Sequence, residues 1–171
     1  KIESVIHFAG LKSVEESVKN PLIYWVTNIT VSLNLISSMQ KYKCYKLVFS
    51  SSATIYKPLK SEKLNESFET NPINPYGNTK LTIEKILEDV YKSEKRKWRI
   101  INLRYFNPVG AHPSGLIGES PKQNSSNLFP IFGKVIFDEL DKVSIFGNNW
   151  PTKDGTCIRD YIHIIDLAEA H

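Results

Sequence analysis

Sulfur is scarce in this 171-residue chain, which holds two cysteines, Cys44 and Cys157, and one methionine, Met39. Neither cysteine stands at metal-ligand or redox spacing, so a disulfide framework, a zinc finger and a CxxC redox centre are excluded as organising features. The four histidines, His7, His112, His163 and His171, are scattered and suggest no metal site. No apolar run approaches the roughly 20 residues needed to cross a bilayer. No charged-then-apolar leader opens the sequence. The expectation is a cytosolic protein with no membrane partner, in which the Asn-x-Ser/Thr matches at Asn28, Asn65 and Asn124 are fortuitous. Excess charge of one sign is also missing, with 22 basic residues against 18 acidic ones and a net charge of +4. The one tight basic cluster, Lys92, Lys95, Arg96 and Lys97, suits a solvated helix end better than a nucleic-acid footprint.

What is present suits an α/β protein. Hydrophobic residues make up 41% and charged residues 23% of the chain, enough for one domain with a substantial core. Short apolar strands are expected at 4–8 and 45–49, and a third at 98–105. Apolar strands that alternate with helices predict a parallel sheet covered on both faces. Ligands of such sheets bind beyond the carboxyl ends of the strands. Asn20 and Pro21 open a helix running to about Tyr42, with Leu22, Val26, Ile29, Leu33, Ile36 and Met39 as its core-facing stripe. Asn28 is the polar exception within it. Gly, Pro and Ser are frequent from Val109 to Gln123, which marks a loop crossing into a second region. Beyond that loop a helix is expected from Asn127 to about Glu139, then a short strand at 143–146 and a helix opening near Asp166.

The strongest local signal is Asn74-Pro75-Tyr76-Gly77-Asn78-Thr79-Lys80. Asn74 suits the N-cap and Pro75 the first helical position. Tyr76 and Lys80, four residues apart, then share one helix face. A tyrosine ordinarily titrates near pH 10, and a sheltered ammonium nearby lowers that value by favouring the phenolate. The pair alone is weak evidence and is better read as part of an ordinary amphipathic helix. Its company narrows the reading. Upstream, Val48-Phe49-Ser50-Ser51-Ser52-Ala53-Thr54 runs from an apolar strand into a hydroxyl-rich loop. Downstream stands Arg104-Tyr105-Phe106-Asn107-Pro108-Val109-Gly110-Ala111-His112-Pro113.

Together these segments resemble the extended short-chain dehydrogenase/reductase family, specifically its UDP-glucose (UDP-galactose) 4-epimerases, and the resemblance runs from end to end of the chain. It implies a Rossmann-like doubly wound parallel sheet, incomplete here, leading into part of a smaller substrate-binding α/β region. Residues 1–110 would be the C-terminal part of the NAD-binding domain and 111–171 part of the substrate-binding region, interwoven as one unit. The implied cofactor is NAD, the substrate a UDP-sugar, and the full-length protein a homodimer. By the same resemblance Tyr76, Lys80 and Ser52 are catalytic. Phe8, Ala9, Gly10, Lys12, Asn28 and Phe106 join them at the cofactor. Thr54, Asn107, Asn127, Leu128, Ile145, Phe146 and Arg159 join Ser52 and Tyr76 at the nucleotide-sugar. The implied reaction inverts C4 of UDP-galactose and UDP-glucose through a 4-keto intermediate. Ala53-Thr54 occupies the place where related 4,6-dehydratases carry an Asp-Glu pair. Neither side chain can move the protons that water elimination requires, so that activity is disfavoured.

The chain departs from the family pattern in several places. Lys57 replaces a usual glycine, with strain in the turn as the expected result. Gln123 to Ser126 and Asp138-Glu139-Leu140 also differ. The Gly-x-x-Gly-x-x-Gly turn that seats a pyrophosphate, and its acidic ribose partner, do not occur before His7. The chain starts at Lys1 directly before a strand and stops inside a helix opening, so the expectation is a fragment of a longer protein, inactive alone. The alternative is an inactive remnant or non-catalytic regulatory relative that keeps the sugar-nucleotide fold.

Overall fold

Three short parallel strands, β1 (Val5–His7), β2 (Lys46–Ser50) and β3 (Arg99–Leu103), lie side by side in sequence order. The computed structural model describes residues 1–57, 63–119 and 127–171. The register places Ile6 beside Val48 and Val48 beside Ile101. Helix α2 (Pro21–Lys41) carries the chain from β1 to β2, and α3 (Pro75–Ser93) from β2 to β3. Sequential order with crossovers of the usual right hand puts both helices on one face, where α2 packs against α3. Ile36 and Met39 of α2, Leu47 and Phe49 of β2, and Ile83 and Leu87 of α3 form the core with Cys44 and Trp98. On the opposite face Ile6 is 48% and Ile101 56% exposed. The fold is the Rossmann-like parallel α/β sheet that was expected, but these residues cover one face of it, not both.

Helix α2 begins at Pro21 and ends beside Tyr42 as its sequence suggests, yet its inner side is another row. Tyr24, Asn28, Ser32, Ile36 and Met39 are buried, whereas Leu22, Val26 and Leu33 of the expected stripe are exposed. Polar residues can occupy the inner row because each has a partner. Ser32 Oγ donates to Asn28 O at 2.8 Å and meets His7 Nε2 at 2.9 Å. Tyr24 Oη donates to Glu16 at 2.9 Å and accepts from Ser13 N at 3.0 Å. Glu16 and Ser13 belong to a short helix that periodicity did not reveal, α1 (Val14–Lys19), and to its N-cap. Among the described residues α2 is also long and apolar enough to cross a membrane, against the expectation of no such run. Its position as a crossover on the sheet, with Asn28 and Ser32 buried, is that of a core-covering helix.

Lys57 adopts no left-handed backbone, since the described non-glycine residues with positive φ are Lys43 and Asp138. Its amide donates to Glu69 O at 3.0 Å, so the expected strain is absent at Lys57 itself, while 58–62 lie outside the described residues.

The chain divides into two compact units, Lys1–Tyr105 and Phe106–His171. In the second, β4 (Asn107–Val109) pairs in parallel with β5 (Tyr161–His163), accompanied by α4 (Leu128–Ile136) and α5 (Ile164–Ala170). Asn107-Pro108 therefore opens a strand of this unit. Phe129 of α4 meets Phe132 and Tyr161 edge-on at 6.2 and 5.3 Å between ring centroids. Helix α4 stops before Glu139 because Asp138 turns left-handed, at φ 57°, a conformation that ends helices. No strand forms at 143–146. β4 and β5 pair with each other, and without a ladder partner Ile145 and Phe146 stay 72% and 88% exposed. The sequence departures at Gln123 to Ser126 and the Asn124 match lie outside the described residues.

Candidate active site

Strand β2 ends at Ser50, and the chain turns through Ser51 and Ser52 into a single 3-10 turn, Ala53–Ile55. Ser52 Oγ accepts from Thr54 N at 3.2 Å and from Thr54 Oγ1 at 2.9 Å, which holds the turn. Helix α3 starts against this segment. Asn74 accepts from Gly77 N at 2.8 Å, the N-cap that the sequence suggests, and Pro75 follows at the first helical position. Gly77 explains the close approach. A Cβ there would stand 2.8 Å from both Pro72 Cβ and Thr54 O. Gly77→Ala is expected to cost about 1–3 kcal/mol by overpacking, read as a lower urea midpoint. An unchanged midpoint would mean that α3 and the Ser52 segment are not in contact.

This packing brings Tyr76, Lys80 and Ser52 together. Lys80 is 5% exposed. Its Nζ donates to Ser50 O at 2.7 Å and stands 4.8 Å from the Phe49 ring centroid and 5.8 Å from that of Tyr76. Burial lowers the ammonium's pKa to about 8. The phenol of Tyr76 lies above its ordinary pKa, chiefly through burial and secondarily through Tyr105, while a hydrogen bond with Ser52 pulls it down. In the protein without a dinucleotide, burial thus outweighs the Ser52 hydrogen bond, as expected for this phenol when no nicotinamide charge is present. His7, 3% exposed at the end of β1, is held at about pH 4 by burial and then by the Lys80 charge.

The loop after β1 is tied to the same helix. Asn28 Oδ1 accepts from Leu11 N at 2.8 Å, and its Nδ2 donates to Leu11 O at 3.2 Å and to Thr79 Oγ1 at 3.1 Å. Thr79 Oγ1 in turn donates to Tyr76 O at 2.8 Å. Asn28 is therefore no surface amide. It is a buried strut between the 8–12 loop and the first turn of α3. Gly10, with φ 149°, presses on it so closely that a Cβ would meet Asn28 Oδ1 at 3.0 Å. Phe8, Ala9, Gly10 and Lys12 are exposed along this loop.

The remaining candidates belong to the second unit and are mostly exposed. Phe106 precedes β4, Asn107 begins it, and Asn127 stands at the N-cap position of α4, ahead of Leu128, without a side-chain capping bond. Ile145 and Phe146 lie in an irregular stretch, and Arg159 Nη1 donates to Ile158 O at 3.1 Å. Among the described residues no cluster of three or more His, Cys, Asp or Glu is placed to hold a metal.

One group escaped the sequence reading. Glu84, one turn beyond Lys80 and 5% exposed, accepts from Ser51 Oγ and from Arg104, whose Nε and Nη2 approach it at 3.1 and 2.6 Å. A carboxylate at the inward i+4 position after Lys80 was the available signal, since a buried charge demands a partner.

All 171 residues match the NAD dependent epimerase/dehydratase family. The chain belongs to this family. Among similar members of the NAD dependent epimerase/dehydratase family, the UDP-glucose 4-epimerase of Bacillus subtilis (strain 168) is 51% identical over 171 residues. That match takes in 100% of this chain and 50% of the relative. The bifunctional UDP-glucose 4-epimerase and UDP-xylose 4-epimerase 1 of Pisum sativum is 48% identical, with 49% of its length covered. The crystal structure of UDP-glucose 4-epimerase from Bifidobacterium longum in complex with NAD+ and UDP superimposes with a TM-score of 0.94 at 48% identity. It covers 99% of this chain and 51% of that one. The chain thus spans about half the length of the curated relatives it matches.

Proposed function

We propose that this chain carries the proton-transfer centre of an NAD-dependent UDP-glucose 4-epimerase, acting on UDP-galactose and UDP-glucose in galactose metabolism. The observation that carries the reading is the meeting of the Ser52 hydroxyl, the Tyr76 phenol and the buried Lys80 ammonium beyond the carboxyl end of β2. In this reading Tyr76 removes the proton of the sugar 4-hydroxyl and later returns it. Ser52 keeps a hydrogen bond to the 4-oxygen as it passes from hydroxyl to carbonyl and back. Thr54 faces the sugar. Asn107, Asn127, Leu128, Ile145 and Phe146 hold the nucleotide, and Arg159 offers a planar fork to the diphosphate.

The residues beyond β1 and β2 suit a nicotinamide. Gly10 is held against Asn28 in a conformation few other residues adopt, and Lys80 supplies a sheltered cation for ribose hydroxyls. Phe8, Ala9, Gly10, Lys12, Asn28 and Phe106 would hold the cofactor with them. NAD, when bound, accepts the C4 hydride and returns it to the opposite face of the sugar. Its positive ring also opposes the burial that raises Tyr76.

The full-length protein is expected to interconvert UDP-galactose and UDP-glucose with its bound dinucleotide. The 171 residues alone, which hold no Gly-x-x-Gly-x-x-Gly turn, are expected not to. A coupled assay for UDP-glucose checks both. No turnover by the full-length protein would favour the non-catalytic relative. We further expect a homodimer, supported by the exposed apolar row Leu22, Val26 and Leu33 on α2; sedimentation as a monomer would remove it.

A further inference from the structure

The serine-rich loop is held from below by a charge pair that the proposed chemistry does not use. Glu84 sits on the same face of α3 as Tyr76 and Lys80, at successive four-residue steps. Arg104 grips its carboxylate through Nε to both oxygens, each at 3.1 Å, and through Nη2 at 2.6 Å. Ser51 Oγ donates to the same carboxylate from inside the loop. Arg104 also donates from Nη1 to Tyr56 Oη at 3.1 Å, with its guanidinium 5.3 Å from that ring's centroid. The next residue, Tyr105, accepts from Ala53 N at 3.0 Å through its carbonyl, and its hydroxyl meets Ser50 Oγ. Residues 50, 51, 53 and 56 are thereby fixed on both sides of Ser52, while the Ser52 hydroxyl, which accepts from Thr54, keeps its own proton to donate to Tyr76.

We propose that Glu84 and Arg104, acting through Ser51, are positioning residues that set the Ser52 hydroxyl against the Tyr76 phenol. This rests on the epimerase reading for its kinetic consequences. The physical reason lies in the cost of the arrangement. A buried ion pair gains little stability over an apolar packing of the same volume, but its bidentate geometry fixes direction more strictly than packing does. A loop of three serines has no bulky side chain to hold it in one place. A rigid carboxylate beneath Ser51 supplies that constraint.

The test uses the full-length holoenzyme and two variants. Ser51→Ala cuts the loop from the carboxylate and leaves the ion pair whole. Arg104→Lys keeps the charge and loses the fork. Both are expected to lower kcat on the order of 10–100-fold, the effect of a small misplacement, with KM for the UDP-sugar within about twofold. Both are also expected to move the acid limb of the kcat profile to higher pH, because Ser52 is the contact that lowers Tyr76. Tyr105 and Lys80, the charged or titratable groups facing Tyr76, remain in place in each variant. Tyrosinate difference titration, with Tyr76→Phe as reference, follows the same phenol without turnover. It stays decisive if the wild type proves inactive and the epimerase reading itself falls. A purely structural pair would lower the melting temperature and leave the pH limb and the tyrosinate titration where they are, which would overturn the proposal. If Arg104→Lys does not fold, Ser51→Ala decides alone.

Discussion

Tyr76→Phe in the full-length protein is expected to lower kcat by about 10²–10⁴-fold, the usual contribution of a positioned general base, while KM changes little. The substitution removes one oxygen and leaves the rest of the site in place. The ring still fills its half-buried slot and still faces the Lys80 ammonium, 5.8 Å from the ring centroid. The helix start does not depend on the phenol either, because Asn74 caps it through Gly77 N. What disappears is the proton acceptor beside Ser52. The structure makes the demand on this group severe. Burial and Tyr105 hold the phenol above its ordinary value, and Ser52 opposes them. A base in that state works at neutral pH only when further positive charge arrives, which the proposed nicotinamide supplies. The expected pH profile therefore has an acid limb in the wild type with dinucleotide bound, and none in the variant's residual rate. Activity within a few-fold of wild type would remove Tyr76 from the role.

These arguments rest on a site only partly legible in the sequence. The start of α3 was readable because Asn74 and Pro75 act through their nearest neighbours, and local chemistry survives translation into structure. Strands β1, β2 and β3 were readable because each is a short apolar run, whereas β4 and β5, three residues each, were not. The inner face of α2 was not. Leu22, Val26 and Leu33 make a better apolar stripe than Tyr24, Asn28 and Ser32, yet the latter row is buried, each polar group finding its partner elsewhere in the chain. Periodicity weighs side chains by their solubility and cannot see such partners. The same limit hid the Glu84–Arg104 pair, whose members are 20 residues apart. It also produced a strand at 143–146 that no neighbouring edge receives. Conversely, the sheet's second face looked buried because Ile6 and Ile101 are apolar, although nothing among the described residues covers them.

Lys80→Met is expected to separate the stability of the fold from its chemistry. The ammonium has a folded pKa of about 8 against an ordinary 10.5, through burial. Below pH 8 both folded and unfolded chains carry the proton, and the folded state bears the full desolvation penalty, a few kcal/mol at about 1.4 per pKa unit. Between pH 8 and 10.5 the unfolded chain keeps a proton that the folded chain has released. Stability of the dinucleotide-free wild type must therefore rise with pH across that window. Methionine matches the length, carries no charge and abolishes the rise. At neutral pH it relieves the penalty but leaves Ser50 O without its donor at 2.7 Å, a loss of about 1–3 kcal/mol, so the two effects nearly offset. Above pH 10.5 the neutral amine of the wild type still serves Ser50 O, and the variant is the less stable. A second signature appears in acid. His7, lowered to about 4 by burial and by the Lys80 charge, stays neutral when folded, so wild-type stability falls as pH drops from 6.5 to 4. Without the ammonium that pKa moves up and the window narrows. Urea midpoints measured from pH 4 to 11 give both slopes, and kcat of the full-length variant is expected to fall by at least about 10²-fold. Parallel curves for the two proteins would mean that the Lys80 amine reaches water, and the sheltered charge beside Tyr76 would be lost with it.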